Sequence, residues 1–528
     1  MRVKKKFILI ICVILALGCV GLASYAAKDA SDAGTLVNVC REPQTTLDPH
    51  VNVDGTLEYL RPCYEGLVAY RVGTSQVEPC LATSWEVSVD GLVYTFTLRN
   101  GVHFDDGSLF DAAAVVKNFQ RIVTMNLGAA YLISGVFDRA EAVNPQTVGI
   151  YVKKPSPGFI YSLAEIYMIS PKAIAENEKN GDWATAWFHD HIDGTGPYTL
   201  EYWQPASELS LKQFDGYWGG WEGKHLQYIV VKNVAELATQ RMLLQAGQID
   251  MIDEAQTEDL PGYRADPKIK VYDGQLLTGW YITMNCLRGP TADIRVRQAI
   301  AYAFDYAAAV QQLRQGKAAQ LQGPLNMTNA AHDNSLFQYH QDLDKARQLL
   351  ANAGYSGGVK LELTMAVVQN LTFEIECGEV LQAALASLGV KLNVVQIAWA
   401  TFLNMSQDPA KANDLAMVST LYANDPVPDK HFDLYWRTGG TYNWSFFSSI
   451  EAGKALDAIL DQAKVTMDND LRNSLYGTAQ QIIVAGCPAI FILSDYNIRV
   501  MRSVVKGFQF SPTLVFYTPF YNMYKELP

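Results

Sequence analysis

Residues 81–116 decide the fold. The stretch opens as Leu81-Ala82-Thr83-Ser84-Trp85-Glu86, turns at Asp90-Gly91, and continues as Tyr94-Thr95-Phe96-Thr97-Leu98-Arg99-Asn100-Gly101-Val102. Phe104-Asp105-Asp106-Gly107 follows, and Asp111 precedes Ala114-Val115-Val116. Alternating aromatic and β-branched residues over 92–99 predict a strand. Asp-Asp-Gly predicts a turn. Asp111 is placed to cap a helix over 112–122, because its carboxylate can accept from an unpaired amide of the first helical turn.

The mixed pattern continues outward. Strands are expected at 148–152, 226–231, 361–365, 390–395 and 489–494. Helices are expected over 235–246, 294–313, 343–353, 374–388 and 468–484, with Gly247, Gly354 and Gly389 as left-handed stops. Residues 28–35 (KDASDAGT) read as a short polar tether. The fold class is therefore mixed α/β, with short connections throughout.

Composition narrows the function. The 528 residues are 49% hydrophobic and 18% charged, with net charge -12. Such a chain builds real cores. Its body has no basic run, which speaks against a nucleic-acid partner. The first 26 residues join a basic MRVKKK to the apolar run FILIICVILAL, followed by small residues. That layout predicts a signal peptide over 1–26 and an extracytoplasmic protein. Two cleavage readings stand. Ala16-Leu17-Gly18-Cys19 resembles a lipobox, which would leave Cys19 lipidated, and Ser24-Tyr25-Ala26 offers an ordinary small-x-small site. Six further cysteines, Cys40, Cys63, Cys80, Cys286, Cys377 and Cys487, form no CxxC. They are read as buried thiols or as unassigned disulfides.

Catalytic signatures are missing. There is no GxxxxGK[ST], GxSxG or HExxH. His189-Asp190-His191 could offer metal ligands but reads more simply as a solvated loop. No cofactor or resident metal is expected, and the chain is read as a non-enzyme.

Several blocks in order resemble the family 5 extracytoplasmic solute-binding proteins, which serve peptide, dipeptide and nickel ABC importers. They are the 81–116 stretch, Gly194-Thr195-Gly196-Pro197-Tyr198, Asp215-Gly216-Tyr217-Trp218-Gly219-Gly220, Gln245-Ala246-Gly247-Gln248-Ile249-Asp250, Ile294-Arg295-Val296-Arg297-Gln298-Ala299-Ile300 and ARQLLANAGY at 346–355. These blocks read as fold determinants, with Trp85 and Trp218 packing residues and Arg297 a helix tie.

The resemblance implies a two-lobed clam with an extra inserted subdomain and the ligand between lobes. Mapped here, the first lobe is 36–75, 193–282 and 496–528, the inserted subdomain is 76–192, and the second lobe is 283–495. It further implies capture of a small solute, a short peptide or peptide-like compound, for delivery to a membrane permease. A metal chelate, or a signalling role on the same scaffold, is the alternative. The chain is expected to act as a monomer, held to the membrane only if Cys19 carries lipid.

Peptide-binding relatives hold the ligand ammonium with an Asp in a segment resembling Trp-x-x-Asp-Tyr-x-x-Pro. Here 421–429 read LYANDPVPD, placing neutral Asn424 at the Asp, with Asp425 one residue on. Other candidates are Trp280 at the crossing between lobes, then Trp436, Arg437, Tyr442 and Trp444 downstream. Arg437 is read either as a bidentate partner for a ligand carboxylate or as a surface residue. Thr45 and Thr46 are read either as cleft residues or as strand-end caps.

Overall fold

The computed structural model describes residues 29–52, 55–252, 255–356, 360–420, 427–511 and 518–527. A twelve-stranded mixed sheet runs the length of the molecule, and the strand Ala489–Arg502 joins its two halves. The first half of that strand pairs with Trp280–Met284, and its second half with Ile269–Gln275. Both strands thus cross together, at 276–279 and 493–495. The strand expected at 489–494 is longer because it continues from one lobe into the other.

On one side of the crossing, Thr35–Cys40 pairs in parallel with Tyr228–Asn233. On the other, Leu361–Val368 pairs in parallel with Val390–Ile397 and with Leu415–Ser419. Parallel neighbours need crossover connections, and the helix Thr372–Ser387 supplies one between 361–368 and 390–397. A separate antiparallel sheet is built from Ala82–Val87, Val93–Leu98, Thr147–Val152 and Phe137–Asn144. The helix Ala112–Met125 covers it, and the Asp111 carboxylate accepts from Ala114 N at 2.9 Å.

Separate cores follow these sheets. Phe96, Phe104, Val115, Phe119 and Ile150 centre one. Leu36, Tyr64, Tyr198 and Ile229 centre another, which also takes in Ile174, Phe188 and Ile192. In the second lobe, Ile282, Val296, Leu363 and Leu381 fill one side of the sheet, and Tyr281, Phe432, Trp436 and Phe491 the other.

Two expectations are corrected. The helix over 294–313 ends at Ala303, and a new short helix starts at Tyr306 because Asp305 accepts from Ala308 N at 2.8 Å. An Asp at that position offers the backbone a fresh N-cap and so competes with continuation. Residues 29–35 are not a loose tether. Ala30 is buried, and its carbonyl accepts from Lys525 Nζ at 2.8 Å and from Arg502 Nη1 at 3.1 Å.

Two of the family-like blocks, 194–198 and 215–220, converge on one carboxylate. Glu65 accepts from Trp218 Nε1 at 2.8 Å, Thr195 Oγ1 at 2.9 Å and Tyr217 OH at 3.0 Å. Burial pushes the Glu65 carboxyl up to about 7 against the pull of those three donors. The Arg99 guanidinium lies 4.0 Å above the Trp218 ring. Arg297 donates to the carbonyls of Thr291, Gly486 and Cys487. These residues hold segments together. Among the described residues Cys40, Cys63, Cys80, Cys286, Cys377 and Cys487 are free thiols.

Candidate functional site

The helix Asp429–Tyr435 lies against the body that carries the separate antiparallel sheet. Pro428 sets its start, with Phe432 N donating to Pro428 O at 2.9 Å. Opposite it, Pro155-Ser156-Pro157-Gly158 leads into the short helix Phe159–Ser162. Contact is close: a Cβ on Gly158 would stand 3.3 Å from Asp429 Oδ2 and 3.6 Å from Val427 Cγ1. Lys430 Nζ lies 5.1 Å from the Tyr131 ring centroid, a cation–π pairing between the two bodies.

A cavity of about 370 Å³ lies between these walls. Tyr131, Phe159 and Tyr161 supply rings on the inserted side, and Asp429, Asp433 and Lys464 supply charge on the other. Lys464 and Arg437 both pair with Asp433, and Arg437 Nη2 donates to Asp461 Oδ1 at 2.6 Å. The bond to Asp461 raises the Arg437 guanidinium above its ordinary value. Aromatic walls with a few fixed polar groups suit an amphipathic small molecule.

The anticipated residues fall in different places. Asn424 and Asp425 lie outside the described residues, as does Cys19; Val427, the first described residue after them, lines the cavity. Trp436, Tyr442 and Trp444 come together as lobe packing. Trp436 is 1% exposed, with its ring 5.9 Å from Tyr281 and 5.8 Å from Phe491. Trp444 is 3% exposed, edge-on to Phe402 at 4.8 Å and beside Tyr442 at 5.8 Å. Arg437 engages carboxylates of its own lobe.

Trp280 stands at the crossing, where Nε1 donates to Asp495 Oδ2 at 2.6 Å. Its ring packs edge-on to Phe373 at 5.2 Å. Thr45 is exposed, and Thr46 is buried with its hydroxyl accepting from Asp48 N at 3.3 Å.

The cavity residues Tyr131, Phe159, Tyr161, Lys430 and Lys464 were not anticipated. The one local signal was the Pro-x-Pro-Gly run at 155–158, which faces Val427 and Asp429 on either side of Pro428. Proline restricts the chain locally, but neither segment names the other as its neighbour.

Comparison with known proteins fits this geometry. The family model described as bacterial extracellular solute-binding proteins, family 5 Middle, matches residues 76–444. The chain belongs to this family. The solute-binding protein is 27% identical over 492 residues to the probable D,D-dipeptide-binding periplasmic protein of Escherichia coli (strain K12), covering 91% of this chain and 92% of the relative. It is 28% identical to heme-binding protein A of Haemophilus influenzae (strain ATCC 51907 / DSM 11121 / KW20 / Rd), covering 93% and 92%.

Among solved structures, HbpA2 from Haemophilus parasuis superposes with a TM-score of 0.83 at 27% identity, covering 93% of this chain and all (100%) of that one. NikA from Brucella suis shares the fold, with a TM-score of 0.81 at 22% identity and coverage of 93% and 100%. The architecture is thus the two-lobed α/β fold of family 5, whose members are binding proteins. Among the described residues no helix is long and apolar enough to cross a membrane.

Proposed function

We propose that this solute-binding protein captures a short peptide or peptide-like compound outside the cytoplasmic membrane and delivers it to the permease of an ABC importer. The observation that carries the reading is the half-open cavity between the inserted subdomain and the second lobe, on a chain whose relatives include dipeptide- and glutathione-binding proteins. Its volume of about 370 Å³ falls within the range of small-ligand pockets.

In this reading the lobes are 36–75, 193–282 and 496–528 for the first, 76–192 for the insert and 283–495 for the second. Asn424 and Asp425 meet the polar end of the solute, and the cavity takes its far end. Neutral Asn424 forgoes the charge-assisted bond that an Asp would make to a free ammonium. The N-terminal segment directs export and the protein works as a monomer; cleavage before Cys19 would leave a lipid anchor on that residue, whereas cleavage after Ala26 would leave the protein unanchored.

Native mass spectrometry of the purified protein is the deciding experiment, since a solute enclosed between lobes co-purifies. A bound peptide supports the reading, and a protein that binds no member of a peptide panel by calorimetry overturns it. With that ligand, Asn424→Asp should weaken binding of a neutral group and strengthen binding of a cation. Membrane fractionation of wild type and Cys19→Ala tests the anchor; equal solubility of both refutes it.

A second reading, a metal chelate, is favoured by one observation. The heme-binding relative is as similar to this chain as the dipeptide-binding one. A chelate in the mass spectrum would select it.

A further inference from the structure

The segment Ile192-Asp193-Gly194-Thr195, which enters the core around Leu36 and Tyr198, lies against the turn Asp105-Asp106-Gly107. Asp105 N donates to Gly194 O at 3.0 Å, and Asp106 N donates to Asp193 Oδ1 at 3.3 Å. Thr199 Oγ1 donates to Asp105 Oδ2 at 2.7 Å, and Ser170 Oγ to Asp106 Oδ2 at 2.7 Å. Because the Asp106 amide holds Asp193 Oδ1, the two carboxyls are brought together at this turn. Asp193 is 4% exposed and Asp106 is half-buried, so water reaches the contact only from the Asp106 side.

Two carboxylates have no proton to place between them, whereas a carboxylic acid donates to a carboxylate in a short, strong bond. We propose that Asp193 and Asp106 share one proton, and that this acid–carboxylate pair is a proton-dependent fastener seating the inserted subdomain on the first lobe. Releasing the proton to solvent leaves two negative charges in contact at the seam. The inserted subdomain carries Tyr131 and Phe159, so a loosened seam also displaces one wall of the cavity.

The surroundings set which carboxyl keeps the proton. Burial, then Asp106, then Asp105 push the Asp193 carboxyl up to about 8. For Asp106, burial works upward, but the bonds from Ser108 and Ser170 outweigh it and Lys172 adds to them, so its carboxyl lies below the ordinary value. Asp105, which Lys212 faces, is pushed up to about 7, chiefly by burial. The Tyr64 phenol faces Asp193 and Asp105, and the Cys63 thiol faces Asp105; burial raises both groups well above their ordinary values, so both stay neutral.

A carboxyl raised from 3.8 to about 8 on folding binds a proton that the unfolded chain has released. Stability is therefore fully present below the lower value, falls as pH rises through the interval, and is level above it. Asp193→Asn keeps a donor toward Asp106 but cannot ionise. Thermal unfolding of wild type, Asp193→Asn and Asp106→Asn from about pH 5 to about pH 9 tests this. The melting temperature of Asp193→Asn should gain on wild type up to about pH 8 and then hold level. Asp106→Asn removes the like charge and should shift the wild-type decline to lower pH.

Hydrogen exchange gives a local readout. Above the transition, wild-type amides of 104–108 and 193–196 should open faster than those of Asp193→Asn. If Asp193→Asn does not fold, Asp106→Asn and the wild-type exchange profile decide. Melting curves of the folded variants that run parallel to wild type, or exchange in those segments that stays unchanged across the range, would overturn the fastener.

Discussion

Gly279 and Thr420 exchange two hydrogen bonds. Gly279 N donates to Thr420 Oγ1 at 2.6 Å, and Thr420 N donates to Gly279 O at 2.8 Å. One residue lies in the crossing between lobes, and the other immediately precedes 421–426. Asn326 reinforces the crossing, donating to Leu276 O at 2.5 Å and to Ser494 Oγ at 2.7 Å, so one amide holds both crossing strands.

Thr420→Val keeps the shape but removes the acceptor for a buried amide. A loss of about 1–3 kcal/mol is expected for leaving that group unmade. Gly279→Ala places a Cβ 2.7 Å from Leu321 Cδ1 and 3.1 Å from the Tyr281 ring. Overpacking there should cost about 1–3 kcal/mol. Urea titration measures both, and wild-type midpoints would refute the lock.

Trp444→Ala is expected to act on stability. Because the ring is 3% exposed and packed on Phe402, its removal opens a core cavity. The loss should be about 3–5 kcal/mol. Thermal melting checks it. A protein that melts as wild type yet loses solute affinity would return Trp444 to the cleft wall.

Gly158→Leu tests closure. The larger side chain cannot fit against Val427 and Asp429 with the bodies in contact. The variant should fold normally, show a larger radius of gyration in small-angle scattering with solute present, and bind that solute less tightly. An unchanged radius would mean that the inserted subdomain does not close on this helix.

Acidification should destabilise the protein through buried imidazoles. His50 is pushed down from 6.5 to about 4, first by burial and then by the Arg121 guanidinium. Burial brings His431 down to about 3. The unfolded chain takes up these protons first, so each contribution is present above pH 6.5 and is lost as pH falls toward the folded value. The slope is about 1.4 kcal/mol per pH unit for each group. His50→Gln should flatten the acid limb of a stability–pH curve, and an unchanged limb would show that His50 takes no part.

The Asp48–Arg121 pair beside His50 has both side chains fully buried. Asp48→Asn leaves the guanidinium without its counter-charge and should cost about 3–5 kcal/mol. Chemical denaturation measures this. Asp48→Asn with the wild-type midpoint would show that Arg121 is compensated elsewhere.

Local chemistry wrote much of the fold into the sequence. Asp111 caps its helix because an Asp side chain reaches an amide three residues on, and that geometry needs no distant partner. Gly354 and Gly389 end their helices at positive φ, where a Cβ would be strained. The ordered blocks from Leu81 to Tyr355 were sufficient to indicate the family. Tertiary structure decided what no local period encodes. Trp436 and Trp444 looked like cleft aromatics, yet the packing of Tyr281, Phe402 and Phe491 around them made them core. Arg437 suited a ligand carboxylate or the open surface equally, but Asp461 lies within its reach across 24 residues of chain. Asp106 and Asp193 meet across 87 residues. Periodicity reports which face of an element is buried; only the closed chain determines which residues share that burial.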